Sequence, residues 1–86
     1  MAYTIEVASG ARRQLKKLDH EMQRRVGRRI DSLAEDPRPP GVVKLTDVSP
    51  PLFRLREGDY RIIYAIRDDR LIVLVVRIAH RSDAYR

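Results

Sequence analysis

A chain of 86 residues has room for one domain with a modest core and not for a second, and its 18 lysines and arginines against 12 carboxylates give a formal charge of +6. The absence of cysteine excludes a disulfide framework, a thiol nucleophile and any thiolate metal site. Fifteen of the basic residues are arginine, a bias that favours planar, bidentate recognition of phosphate or carboxylate. The basic excess leans towards the C-terminal half, where residues 37 to 86 hold ten basic and six acidic groups. No basic n-region leads into a long apolar run at the start, so a signal peptide is not expected. The apolar run Leu71 to Val76 reads as a buried strand too short to span a bilayer. Neither a membrane nor a secreted location is expected, and a reducing cytoplasm is compatible with this composition.

In chain order, Tyr3, Ile5 and Val7 alternate with Thr4 and Glu6, which is a strand with one face inward. Ser9 is placed to cap a short amphipathic helix over 10 to 18, with Ala11, Leu15 and Leu18 on its apolar side. Asp19 reads as the N-cap of a second helix running to about Ala34, whose stripe is Met22, Val26, Ile30 and Leu33. Gly27 within it would permit close backbone approach at some cost in helix propensity. Pro37, Pro39 and Pro40 end that helix and stiffen the crossover. Val42 to Leu45 is a short strand or irregular. Leu52 to Glu57, Tyr60 to Arg67 and Arg70 to Ile78 then read as three strands joined by tight turns at Gly58-Asp59 and Asp68-Asp69. The expected architecture is α+β: a curved antiparallel sheet with the N-terminal strand, and a two-helix hairpin packed on one face.

A two-residue loop at Gly58-Asp59 pairs Glu57 with Tyr60, Arg56 with Arg61 and Arg54 with Ile63. Arg54, Arg56, Arg61 and Ile63 then share one face, and Phe53, Leu55, Tyr60, Ile62 and Tyr64 the other. Like charges opposite one another weaken a sheet, so the cluster calls for a neutralising partner. It grips a nucleic-acid backbone or stabilises a phosphoryl transition state, or else it is a solvated face with Glu57 and Asp59 nearby. In the tail, Arg81 suits phosphate and Tyr85 suits base stacking; the alternatives are an Arg81–Asp83 ion pair and packing of Tyr85 on the sheet edge. His80 is of the residue type best suited to proton transfer near neutral pH, or it bonds locally and orders the turn. His20 reads as a surface residue. Asp68 and Asp69, beside Arg67 and Arg70, fit a solvated turn better than a metal site, and no other metal constellation is present. Arg24, Arg25, Arg28 and Arg29 form one basic patch at i and i+4 spacing, which meets RNA or an acidic protein segment unless it is simply solvated.

Several segments in this order resemble the RelE/ParE superfamily, the small toxins of bacterial and archaeal type II toxin-antitoxin pairs. They are Tyr3-Thr4-Ile5, the basic helical hairpin, Asp36-Pro37 followed by Lys44-Leu45, Arg54-Leu55-Arg56, Gly58 to Tyr64, and the closing His80 to Tyr85. The resemblance spans nearly the whole chain and implies a single RelE-like toxin domain over residues 1–86. It further implies a metal-independent endoribonuclease, needing no cofactor, that cuts messenger RNA in the ribosomal decoding site by attack of a 2′-hydroxyl on the adjacent phosphate. Carried over by that resemblance, Arg54 and Arg56 hold substrate, Arg61 holds the phosphate, Arg81 stabilises the transition state, and Tyr85 stacks on the nucleotide.

RelE-type enzymes carry lysines where this chain has Arg54 and Arg56, and arginine does not deprotonate at accessible pH. The base then falls to His80, to Tyr85, to the phosphate itself or to a ribosomal group. ParE-type relatives share the fold and poison DNA gyrase instead, and a degenerate toxin would act mainly as antitoxin partner and co-repressor. The resemblance also implies a cognate antitoxin, with the ribosome or antitoxin meeting Arg24, Arg25, Arg28 and Arg29. Operator DNA would be bound through the toxin-antitoxin complex.

Overall fold

The computed structural model describes residues 2–46 and 49–82. Its elements are β1 (Thr4–Val7), α1 (Ser9–Lys16), α2 (His20–Ser32), β2 (Val43–Leu45), β3 (Leu52–Glu57), β4 (Tyr60–Arg67) and β5 (Ile72–His80). The five strands form one sheet in the order β1-β5-β4-β3-β2. β2 to β5 pair antiparallel as expected, but β1 lies parallel to β5, with Thr4 opposite Ile72 and Val7 opposite Val75. The sheet is therefore mixed rather than wholly antiparallel. Alternation reports which face a residue occupies and carries no information on strand direction. The near-continuous apolar run of β5 is the composition of a strand paired on both sides.

Both helices cover one face of this sheet. Ala11 of α1 and Val26 and Ile30 of α2 are buried, with Leu33 just beyond, against Phe53, Leu55, Ile62, Tyr64, Val73, Val75 and Ile78 from the strands. Asp19 caps α2 as expected, its Oδ1 accepting from the Met22 N–H at 2.8 Å. Ser9 does not cap α1: it is the first helical residue, Ala8 holds the N-cap position, and no side chain caps that end. The chain has no room for a separate cap there, because the Ala8 N–H still donates to Val75 O as the last bond of the sheet. Gln23 closes the hairpin by donating to the carbonyls of Lys16 and Leu18, which the end of α1 leaves unpaired. Gly27 supports no close approach, since a Cβ built there meets nothing within 4 Å.

Two local features fix the far end of the sheet. The turn after β4 has four residues, Asp68 to Leu71, with Leu71 at φ 53°, so β5 starts at Ile72 and runs on to His80. The Asp68 carboxylate is the hub of this turn, accepting from Tyr3 Oη at 2.6 Å and from both Arg38 terminal nitrogens at 3.2 and 2.9 Å. These bonds, Arg38 first, hold its pKa down at about 2. Arg38 in turn lies over the Phe53 ring at 5.4 Å. Deeper in the core, the Tyr64 hydroxyl donates to Pro37 O at 2.7 Å, and burial pushes its pKa up to about 12.

The second feature is a β-bulge. Ile63 pairs with Arg77 and Tyr64 with Val75, leaving Val76 as an extra residue in β5. Before the bulge Val73 and Val75 point to the core; after it Ile78 does. Unbroken alternation would instead turn Arg77 inward and Ile78 outward.

Candidate nucleic-acid interface

The β3–β4 hairpin has the register expected from its sequence: Glu57 opposite Tyr60, Arg56 opposite Arg61, and Arg54 opposite Ile63. Gly58 takes φ +59° at the first central position, as a type II′ turn demands. A side chain there would also press on Met22 Cε at 3.3 Å and Arg25 Nη2 at 3.4 Å, so the turn is seated under α2. Arg54, Arg56 and Arg61 thus share the sheet face turned away from the helices. The bulge adds Arg77, opposite Ile63, and Ala79, opposite Arg61, to the same face. Arg77 was not singled out from sequence, although a charged residue at the parity of Val73 and Val75 was the available signal.

Arg61 is not a solvated side chain. It retains 4% of its exposure, between Arg56 on one neighbouring strand and Ala79 on the other. Arginine is almost never buried to this degree on an ordinary surface. Arg54 is partly exposed and Arg56 is exposed, so the cluster grades from a buried guanidinium at its centre to open ones at the sheet edge.

His80 is placed elsewhere. It pairs with Tyr60, whose ring it meets edge-on at 5.3 Å, on the helix-covered side of the sheet. Its Nδ1 accepts from the Ser82 N–H at 3.3 Å and lies 3.0 Å from Ser82 Oγ, which is the local, turn-ordering arrangement. It borders a groove of about 410 Å³ with Gln14, Lys17, Leu18 and Tyr60. The structure does not bring His80 and Arg61 together. Arg81 follows at the hairpin end, its N–H donating to Asp59 O at 2.7 Å and its Nε standing 3.8 Å from Asp59 Oδ1. Asp83 and Tyr85 lie outside the described residues.

The basic patch on α2 divides in two. Arg25 donates to Glu57 Oε2 from Nε at 3.1 Å and from Nη2 at 2.9 Å, and Arg29 Nε lies 3.5 Å from Glu57 Oε1. These two arginines tie the helix to the hairpin. Arg24 and Arg28 remain exposed and flank Gly27 on the outer side. Glu57, read from sequence as a neighbour for the strand arginines, instead serves the helix. Among the described residues no three His, Asp or Glu side chains converge on a point that could hold a metal ion. None of the described helices is long and apolar enough to cross a membrane.

Comparison with known proteins agrees with this geometry. Residues 5–85 match the family described as the ParE toxin of the type II toxin-antitoxin system parDE. The toxin RelG of Mycobacterium tuberculosis is 32% identical over 87 residues, covering 100% of this chain and 99% of that protein. In the archaeal RelE–RelB complex from Pyrococcus horikoshii OT3, one chain superposes with a TM-score of 0.84 at 27% identity, over 98% of this chain and 100% of that one. The toxin-antitoxin complex RelBE2 from M. tuberculosis gives a TM-score of 0.80 at 29% identity, over 94% of this chain and 100% of that one. A mixed five-stranded sheet under a helical hairpin, matched along almost its whole length in sequence and in backbone, makes this chain a member of the RelE/ParE superfamily of type II toxin-antitoxin toxins.

Proposed function

We propose that this toxin is a ribosome-dependent endoribonuclease that cleaves messenger RNA in the decoding site and so stops translation. The observation that carries the reading is the arginine face, with Arg56 opposite Arg61, Arg54 two residues back along β3, and Arg61 held almost without solvent contact. A guanidinium kept out of water stabilises developing phosphate charge more strongly than a solvated one. In the reaction the 2′-oxygen attacks the adjacent phosphorus, the bond to the 5′-oxygen breaks, and a cyclic phosphate and a free 5′-hydroxyl result. Arg54 and Arg56 position the backbone, Arg61 and Arg81 stabilise the charge on phosphorus oxygens, and Tyr85 stacks on the nucleotide. The 2′-hydroxyl proton leaves to Tyr85, the phosphate itself or a ribosomal group, and the departing 5′-oxygen takes up a proton from Arg81-bound or ribosomal water; His80 faces the helices.

The partners of this reading are the ribosome with its message, in the cytoplasm, and a cognate antitoxin. RelB–RelE complexes among the structural relatives support the antitoxin; in this reading operator DNA is bound through the toxin-antitoxin complex. Arg24 and Arg28 supply the exposed contacts to ribosome or antitoxin. The decisive experiment is expression in a cell-free translation system with primer extension on the message. Cuts inside codons that appear only with ribosomes, and vanish in Arg61→Gln, are expected. The match to a ParE family favours one second reading, inhibition of DNA gyrase. An intact message together with blocked supercoiling would establish that reading and remove the first.

A further inference from the structure

We infer that Arg29 is a phosphate ligand, joined with Arg54 and Arg56 in a groove at the free edge of β3, and that Glu57 is its built-in counter-ion. The inference rests on the nucleic-acid reading above and extends it from the sheet face onto α2. β2 is short: its pairing with β3 stops at Val43 opposite Arg54, so Leu55, Arg56 and Glu57 have no β2 partner. Beyond that point the strand edge, the chain at Gly41 and α2 enclose a groove of about 340 Å³ lined by Arg29, Gly41, Val43, Arg54, Leu55 and Arg56. Among the described residues its lining holds three arginines and no carboxylate. Gly41 has φ +89° and open space where a Cβ would stand, which keeps that rim clear.

The hydrogen bonding around Glu57 is unequal. Its Oε2 takes both bonds from Arg25, whereas Arg29 has only the 3.5 Å approach of Nε to Oε1, which is no hydrogen bond. Among the described residues the Arg29 guanidinium makes no side-chain hydrogen bond, and Arg56 makes no ion pair. A phosphate offers Arg29 the bidentate geometry that Glu57, already committed to Arg25, does not. Arg29 also borders a groove of about 270 Å³ with Arg25, Arg28, Ser32 and Glu57. The basic lining therefore continues from the arginine face, round the edge of β3, to the outer side of α2. A single polynucleotide strand fits such a track, its successive phosphates meeting successive guanidinium groups.

The test is anisotropy titration of a short fluorescent single-stranded RNA with the full chain over a range of potassium chloride concentrations, with thermal melts on every variant. Arg29→Gln is expected to weaken binding about tenfold and to flatten the log–log salt slope by about 0.7, one phosphate contact on a single strand. Arg29→Lys should keep most of the slope. Glu57→Gln should tighten binding several-fold even while lowering the melting temperature, a sign that structural damage does not produce. Arg70→Gln, in the turn at the other end of the sheet, should change neither. If Arg29→Gln binds like wild type while Arg54→Gln and Arg56→Gln bind weakly, the groove is refuted and the arginine face stands. If Arg29→Gln weakens only antitoxin binding, the groove belongs to a protein segment and the inference falls. Should RNA binding be absent, or be indifferent to all three arginines, the nucleic-acid reading fails and the inference with it.

Discussion

His80 stands directly opposite Tyr60 across the β4–β5 ladder, and this pairing turns its imidazole to the helices while the adjacent Arg61 and Ala79 face the other way. The two residues with the most suggestive chemistry are thereby on opposite sides of one sheet. Removing His80 should leave message cleavage within about threefold of wild type, whereas Arg61→Gln should cost about a hundredfold or more. Single-turnover cleavage on programmed ribosomes measures both. A collapse of the rate in His80→Ala with an unchanged melting temperature would reverse this assignment.

The Val76 bulge sets that arrangement. Deleting Val76 would let β5 pair with β4 in unbroken alternation, with Arg77 and Ala79 still on the arginine face and Ile78 and His80 still on the helix side. With no side chain changing face, the change in stability should stay within about 1 kcal/mol. Urea denaturation would report it, and a loss above about 3 kcal/mol would show that the fold needs the local twist of the bulge itself.

Gly27 offers a gain. It sits inside α2 with nothing within 4 Å of its missing Cβ, so Gly27→Ala removes backbone entropy from the unfolded chain without a clash. Stabilisation by about 0.5 to 1 kcal/mol is expected, visible as a higher denaturation midpoint at constant slope.

Tyr64→Phe tests the link between the crossover and the core. It deletes the bond to Pro37 O and leaves that carbonyl unpaired in the interior. A loss of about 1 to 2 kcal/mol is expected, with the stacking of ring 64 on Phe53 retained.

Asp68 gives the fold a defined acid response. Arg38 and Tyr3 hold its carboxyl at about 2 against an ordinary 3.8, so the folded state binds fewer protons than the unfolded one between those values. Its stabilising contribution is complete above about pH 4 and is lost as pH falls through about 2. Melting temperature measured from pH 5 to 2 should fall less steeply in Asp68→Asn than in wild type. Parallel curves for the two proteins would show that Asp68 contributes nothing to acid sensitivity.

Much of this molecule was legible in the sequence because local rules govern it. The alternation of Phe53 to Glu57 and Tyr60 to Tyr64, with Gly58-Asp59 between them, determined the hairpin, its register and the shared face of Arg54, Arg56 and Arg61. The Asp19 cap and the stripe of Met22, Val26, Ile30 and Leu33 determined α2. Tertiary structure decided what depends on residues far apart in the chain: the parallel seating of β1 on β5, the capture of Arg25 by Glu57 with Arg29 close by, and the burial of Arg61. It also decided the phase of β5 after Val76. Periodicity fixes a side chain's face only until one residue is inserted, and whether a bulge forms depends on which phase buries Ile78 and keeps Arg77 out of the core.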